Sequence, residues 1–497
     1  MSIRYFVLLL ALTLGMIASA QADLPPVSTT VTIKPGDTPA DMAEVRALLS
    51  DNADRLRGDW PWKPPSGDPA KITKADYLAA VRAMPGYLQY LEQQYGTGPI
   101  EARQYAYEAI PVFVALWKAT GERNYLEMTV HAVKMYCRQM DDEVKQYPEK
   151  PPNRSYYWVW AIAYVVIPVL ELQGTPEYAV LTDMLGKSLG NRAAAWPIYD
   201  EHGAQNRAID PAFWYEVVLK FNPNVPHAAE MRAYADRVWN EWWPLREIDE
   251  DDSWYTVVDM AVLHAWCLVR GVSWWKDAES ANLWRHYAAQ IANDGTWPAY
   301  GDGGVPGGYC CATWIAELAA SRTRDHQLKW LAHRAFWNGR ERLPKLTANI
   351  GYMNCTYLAM AYLFADDTVK EAPPAPGVTT TKRRFREIVD IEQRYKGEPW
   401  FILHKEWMPS KIIFRAGSRE SDQFLMVQAA NQGGHGHPDS GHLIHYGAGG
   451  AYYLSYGTLR PDASMEGHND FTLRDPKIDA PWPGRWSGLY ATEGTSV

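Results

Sequence analysis

The sequence predicts an α+β multidomain protein: an N-terminal (α/α) toroid, an incomplete barrel of helical hairpins, followed by an antiparallel β domain. Three observations carry that prediction. Between Thr73 and Leu363, long apolar aromatic segments alternate with amphipathic ones. The stretch Glu371-Ala372-Pro373-Pro374-Ala375-Pro376-Gly377 then breaks the helical pattern. Beyond it come short strand-like runs separated by glycine-rich turns.

The first 22 residues read as a secretory signal. Arg4 supplies the positive start, and Tyr5 to Ile17 is an apolar run too short to span a bilayer. Ala18-Ser19-Ala20 and Ala20-Gln21-Ala22 both fit a small-residue cleavage site. An exported protein, periplasmic or secreted, is therefore expected, with no later membrane span. A chain of 497 residues is long enough for two or three domains. Its 47% hydrophobic and 22% charged residues are those of a globular protein. Five cysteines, with no Cys-x-x-Cys pair, are too few for a disulfide scaffold of this size. The net charge of -9 argues against general nucleic-acid binding, so any acidic ligand needs a locally basic site. With Trp 23 and Tyr 30, aromatic rings are abundant, and most are expected to fill helix–helix cores.

Residues 23–370 read as the helical domain. Tyr105–Trp117, Tyr156–Leu172 and Trp254–Val269 are apolar on most sides, whereas Arg123–Met140 and His227–Trp242 are amphipathic. Stacked antiparallel hairpins would give this alternation, with the buried helices forming an inner ring. A loose repeat of roughly one hairpin supports the idea. Inner helices are expected to begin near Asn153-Arg154-Ser155, Asn206-Arg207, Asp252-Ser253, Gly308-Tyr309 and Gly351-Tyr352. Asn, Asp and Ser at such places serve as helix caps. If the inner helices start on the same rim, several N-termini converge on one cleft, which favours carboxylates.

Residues 371–384 read as a linker and 385–497 as an antiparallel β domain. Strands are expected at Trp400–Trp407, Lys411–Ala416 and Gln423–Ala429. Leu443–Tyr446 and Ala451–Tyr456 flank Gly447-Ala448-Gly449-Gly450 as a hairpin. Between a strand and this hairpin lies Gly433-Gly434-His435-Gly436-His437-Pro438-Asp439-Ser440-Gly441-His442. Three imidazoles and a carboxylate in a glycine-rich turn suit proton transfer, metal ligation, or both. His468-Asn469, 31 residues beyond His437, could return to the same place.

A helical toroid followed by a β domain carrying Gly-His-Gly-His-x-Asp resembles the heparinase II/III-like polysaccharide lyases, a group that includes oligoalginate lyases. His468-Asn469 resembles a pair found downstream in that group. The resemblance implies a β-sandwich and cleavage of a uronic-acid-containing polysaccharide by β-elimination. An Asn or His neutralises the uronate carboxylate while a Tyr and a His handle the protons. Carried over, it assigns the catalytic roles to Asn206, Tyr255 and His435. It adds Gln205, Arg207 and Tyr309 as substrate-binding residues, and His437 and His468 as ligands of a structural zinc that elimination itself does not require. Tyr309, preceded by Asp294-Gly295-Thr296-Trp297, is a rival for the catalytic Tyr, and Asn153 and His202 are alternatives to Asn206.

Two departures from the family pattern stand out. Ser455 occupies the place of an expected zinc-ligating Asp, with His442, His445 or Asp439 as substitutes. The chain also ends at Val497, 29 residues after His468, so an incomplete β domain, or a fragment, is expected. Two other readings compete: a toroid glycoside hydrolase using paired carboxylates such as Glu201, Asp252 and Asp302, and a non-catalytic glycan-binding protein.

Overall fold

The computed structural model describes residues 72–83, 106–149, 159–204, 206–248, 253–276, 278–298, 300, 309–340, 348–388, 401–429, 443–448 and 451–455. All of them lie in one compact unit, Lys63–Val497. The described residues are mostly helical, with one antiparallel sheet.

Twelve α-helices are described: α1 (Lys74–Ala83), α2 (Ala106–Thr120), α3 (Arg123–Gln146), α4 (Val159–Leu170), α5 (Pro176–Ala195) and α6 (Asn206–Phe221). They continue with α7 (Ala228–Trp242), α8 (Ser253–Arg270), α9 (Ala278–Ala288), α10 (Tyr309–Thr323), α11 (His326–Arg340) and α12 (Ala348–Phe364). Local chemistry sets several of their ends. Thr175 caps α5 by accepting from the Tyr178 N–H at 3.3 Å, and Pro176 follows at the first helical position.

The even-numbered helices α2, α4, α6, α8, α10 and α12 pack in a closed cycle, each touching the next and α12 returning to α2. They are the apolar ones: Ala161–Ile167 of α4 and Cys310–Ala320 of α10 are buried throughout. The odd-numbered helices line the outside, with α3 against α2 and α5, α7 against α6, and α11 against α10. Their amphipathic faces bury one stripe and expose the other. The aromatic residues fill this core as expected, since Trp242, Trp266, Trp274, Trp284 and Trp314 are all under 2% exposed.

Short links such as 121–122 and 324–325 join each ring helix to the outer helix that follows it. Links this short between packed helices make hairpins. The ring helices therefore run parallel, and their N-termini gather at one end. At that end lie the described parts of the longer returns, 196–204, 243–248 and 289–298.

Five strands follow: β1 (Gly377–Ile388), β2 (Phe401–Arg415), β3 (Phe424–Gln428), β4 (Leu443–Ala448) and β5 (Ala451–Ser455), an antiparallel meander in sequence order. β4 and β5 form the expected hairpin. Two expectations need correction. The linker read at 371–384 is strand from Gly377 onward, because Val378-Thr379-Thr380-Thr381 is a β-branched run and the proline-rich part ends at Pro376. The strands read separately at Trp400–Trp407 and Lys411–Ala416 are one strand, β2. Pro409 has no N–H to give, and the register slips between Thr380 and Lys382, the residue opposite Pro409. Ser410 and Lys411 of β2 there oppose the single residue Thr381, which accepts the Lys411 N–H on its Oγ1 at 3.1 Å.

The sheet docks on the end of the ring where the N-termini gather. Ile413, Phe424, Met426 and Ile444 pack on Ala292 and Tyr300 of the return before α10. Four arginines latch the contact. Arg383 donates to Glu247 Oε1 from Nε at 3.2 Å and Nη2 at 3.0 Å, and also to the Ile248 carbonyl. Glu247 Oε2 takes the Arg384 N–H at 3.2 Å, and Arg384 Nε donates to the Leu245 carbonyl at 2.9 Å. Arg415 donates to Asn293 Oδ1 at 2.6 Å and to the Ala289 and Ile291 carbonyls at 2.9 and 2.5 Å. Arg334 pairs with Glu420 at 3.3 Å.

Candidate active site

Asn206 is the first residue of α6 and is half-buried, and Arg207 beside it is exposed. Tyr255 is the third residue of α8 and Tyr309 the first of α10. α6 packs on α8, and α8 on α10. The fold thus brings Asn206, Tyr255 and Tyr309 to the first turns of three consecutive ring helices, at the end where the sheet docks. The side chains of Tyr255 and Tyr309 lie outside the described part of the structure. So do Gln205, Asn153, His435, His437 and His468 entirely. The β3–β4 connection that carries His435 is anchored by its two strands, which pair Val427 with Leu443.

Pro211 lies inside α6 and cannot donate to the carbonyl four residues back, that of Arg207. The start of this helix is instead held from outside. Glu241 of α7 accepts the Gly203 N–H at 2.8 Å on one oxygen and meets His202 Nδ1 at 2.8 Å with the other. Arg237, one turn earlier, donates to the Tyr199 and Glu201 carbonyls at 2.8 and 3.2 Å. Glu201, an acid of the hydrolase reading, belongs to this clasped loop.

The Asp294-Gly295 element proves to be a structural turn. Asp294 Oδ1 takes the Thr296 N–H at 3.0 Å, and Oδ2 takes its hydroxyl at 3.0 Å. Gly295 has φ +87°, and a Cβ there would sit 1.9 Å from the Arg334 carbonyl oxygen. Only glycine fits that left-handed, crowded position.

One functional group escaped the sequence reading. Glu108 stands in the first turn of α2, at the same end of the ring. Burial pushes its carboxyl up to about 7, opposed by the hydrogen bond from the Tyr107 hydroxyl at 3.3 Å. A lone acid within the apolar run Tyr105–Trp117 was the available signal.

His445 was weighed as a substitute metal ligand. It is buried in β4 with its ring 5.6 Å from that of Phe424, and burial pushes it down to about 3. Among the described residues, no group of three or more His, Cys, Asp or Glu is placed to hold a metal. All five cysteines are buried and free. An open cleft of about 510 Å³, lined by Lys74, Trp117, Lys118 and Tyr362 among others, lies at the opposite end of the ring. No described helix is long and apolar enough to cross a membrane.

No protein-family model matches the chain, and no curated protein matches it. Eight solved chains resemble it. One of them, described as heparinase III, is 13% identical with a TM-score of 0.33, and the match covers 84% of this chain and 63% of that one. This chain therefore spans less than two thirds of that chain's length.

Proposed function

We propose that the protein is an exported polysaccharide lyase that cleaves a uronic-acid-containing polysaccharide by β-elimination. On this reading 1–22 is the signal peptide, the cycle of helices is an (α/α) toroid, and the sheet belongs to a β-sandwich domain. One observation carries the reading. The sheet whose β3–β4 connection holds the Gly-His-Gly-His-x-Asp turn docks at the end of the ring where Asn206 and Tyr255 begin consecutive helices.

The chemistry follows from what elimination demands. The proton at C5 of a uronate is weakly acidic, and its removal builds charge on the adjacent carboxylate. The Asn206 amide, at a helix start, is suited to meet that charge. Gln205 and Arg207 add donors, and a guanidinium stays charged throughout the working range. Tyr255 and His435 act as base and acid, one taking the C5 proton and the other protonating the leaving glycosidic oxygen. Tyr309, at the start of the next ring helix, lines the substrate.

A structural zinc does not fit the residues as well. Ser455 closes β5 where a carboxylate ligand is expected, so His437 and His468 need Asp439 or His442 to reach the three protein ligands that zinc sites use. The steps above need no metal.

The test is a product assay. Wild type mixed with alginate, glucuronan or a glycosaminoglycan should release an unsaturated product absorbing in the near ultraviolet. His435→Ala should lower the rate by at least about a hundredfold, the scale of an acid–base residue. A folded wild type giving no absorbance rise with any of them would sink the reading.

Glu108 favours a second reading, hydrolysis. A carboxyl pushed up to about 7 is suited to general acid catalysis near neutral pH. Hydrolysis would release reducing ends without the chromophore and would survive His435→Ala.

A further inference from the structure

The loop before α6 is held almost wholly by one turn of α7. Arg237 and Glu241, four residues apart and 3.8 Å from each other, form a two-pronged fork. The Glu241 prong uses both oxygens, on the Gly203 N–H and on His202. The Arg237 prong holds the Tyr199 and Glu201 carbonyls, meets the His202 ring, and lies 5.0 Å over the Tyr234 ring. Four residues of the five-residue stretch 199–203 are therefore gripped. The chain turns at Gly203 with φ +87° and reaches Asn206 three residues later.

We propose that Arg237 and Glu241 are positioning residues for the elimination: by fixing 199–203 they set where α6 begins and hence where Asn206 stands. The inference rests on the lyase reading of Asn206. Its physical basis is that an amide stabilises a growing charge only within hydrogen-bond reach, and a displacement of about 1 Å can cost about a hundredfold in rate. The fork acts through backbone groups, and it is separable from the stability of α6. That helix keeps its own anchors: the Ile198 N–H donates to the Tyr215 hydroxyl at 2.6 Å, and the Tyr234 hydroxyl donates to the Ala208 carbonyl at 3.3 Å. Losing Glu241 should free the loop and leave the ring folded.

Two measurements on the same variants test this. Hydrogen exchange at the Gly203 amide reports the grip. Steady-state elimination, on whichever of alginate, glucuronan or a glycosaminoglycan wild type cleaves, reports the consequence. Glu241→Ala should speed Gly203 exchange about tenfold or more, the scale of a lost charge-assisted bond. Its kcat should fall about ten- to a hundredfold with KM within about threefold, because the lost interaction belongs to the transition state. Glu241→Gln keeps an acceptor for the Gly203 N–H and should recover part of both. Arg270→Ala is the control. It breaks pairs with Glu216 and Asp236, near the middle of these same helices, and should lower stability with kcat unchanged.

Unchanged exchange in Glu241→Ala overturns the inference, as does faster exchange at full kcat. A wild type inactive on all three glycans overturns the lyase reading and this inference with it. An active wild type beside a fully active Glu241→Ala overturns this inference alone.

Discussion

Glu108 combines a helix start, which favours a charged carboxylate, with burial, which disfavours it more. The sign of its contribution follows. An unfolded chain releases this proton near 4.5, whereas the folded chain keeps it to about 7. Its contribution is full below pH 4.5 and is lost as pH rises through 7. The whole effect is on the order of 3 kcal/mol. Glu108→Gln keeps the shape without the charge. Urea denaturation should find the variant equal to wild type near pH 4 and more stable by about 3 kcal/mol at pH 8. A difference independent of pH would remove burial as the cause. At sequence level only its place as a lone acid in an apolar run points to this shift, because the full apolar surroundings of Glu108 are assembled by the fold.

Elements explain what was legible. α2, α3, α7 and α8 fall within a few residues of the segments read as helices, because a ring helix is apolar all round and an outer helix on one stripe. Both patterns are written in consecutive residues. Asn206 was legible for the same reason, as a polar residue opening an apolar helix. β2 reads as two strands because its continuity through Pro409 depends on a bulge within β2 itself, where Ser410 and Lys411 oppose Thr381 of β1. The latch between Glu247 and Arg383 was invisible because 136 residues separate its halves. Both side chains are buried, with exposures of 2% and 3%. Removing one leaves the other buried and uncompensated, which costs about 3–5 kcal/mol. Arg383→Ala and Glu247→Ala should each lose that much in chemical denaturation. The double variant should lose less than their sum, since no orphaned charge remains. Additive losses would mean that the two side chains act separately.

At the scale of the molecule, the ring and the sheet have separate apolar cores, and the bond between them is largely polar. The ring core runs through every described α-helix, whereas the sheet's cluster consists of Ile413, Phe424, Met426 and Ile444 on Ala292 and Tyr300. Six residues of apolar contact are a small share of such an assembly, so the arginine latches decide whether the sheet melts alone. Arg415 is the most exacting of them. Burial pulls its guanidinium down to about 9 while Asp294 draws it back up, and it satisfies two carbonyls and Asn293 at once. With all latches intact, tryptophan fluorescence, dominated by the ring, and the β-sheet component of the infrared amide I band should report one coincident thermal transition. Arg415→Ala should split it, the sheet signal melting first and the tryptophan transition staying near its wild-type midpoint. If both probes instead moved down together, the sheet would be an integral part of the ring's cooperative unit and not a domain latched onto it.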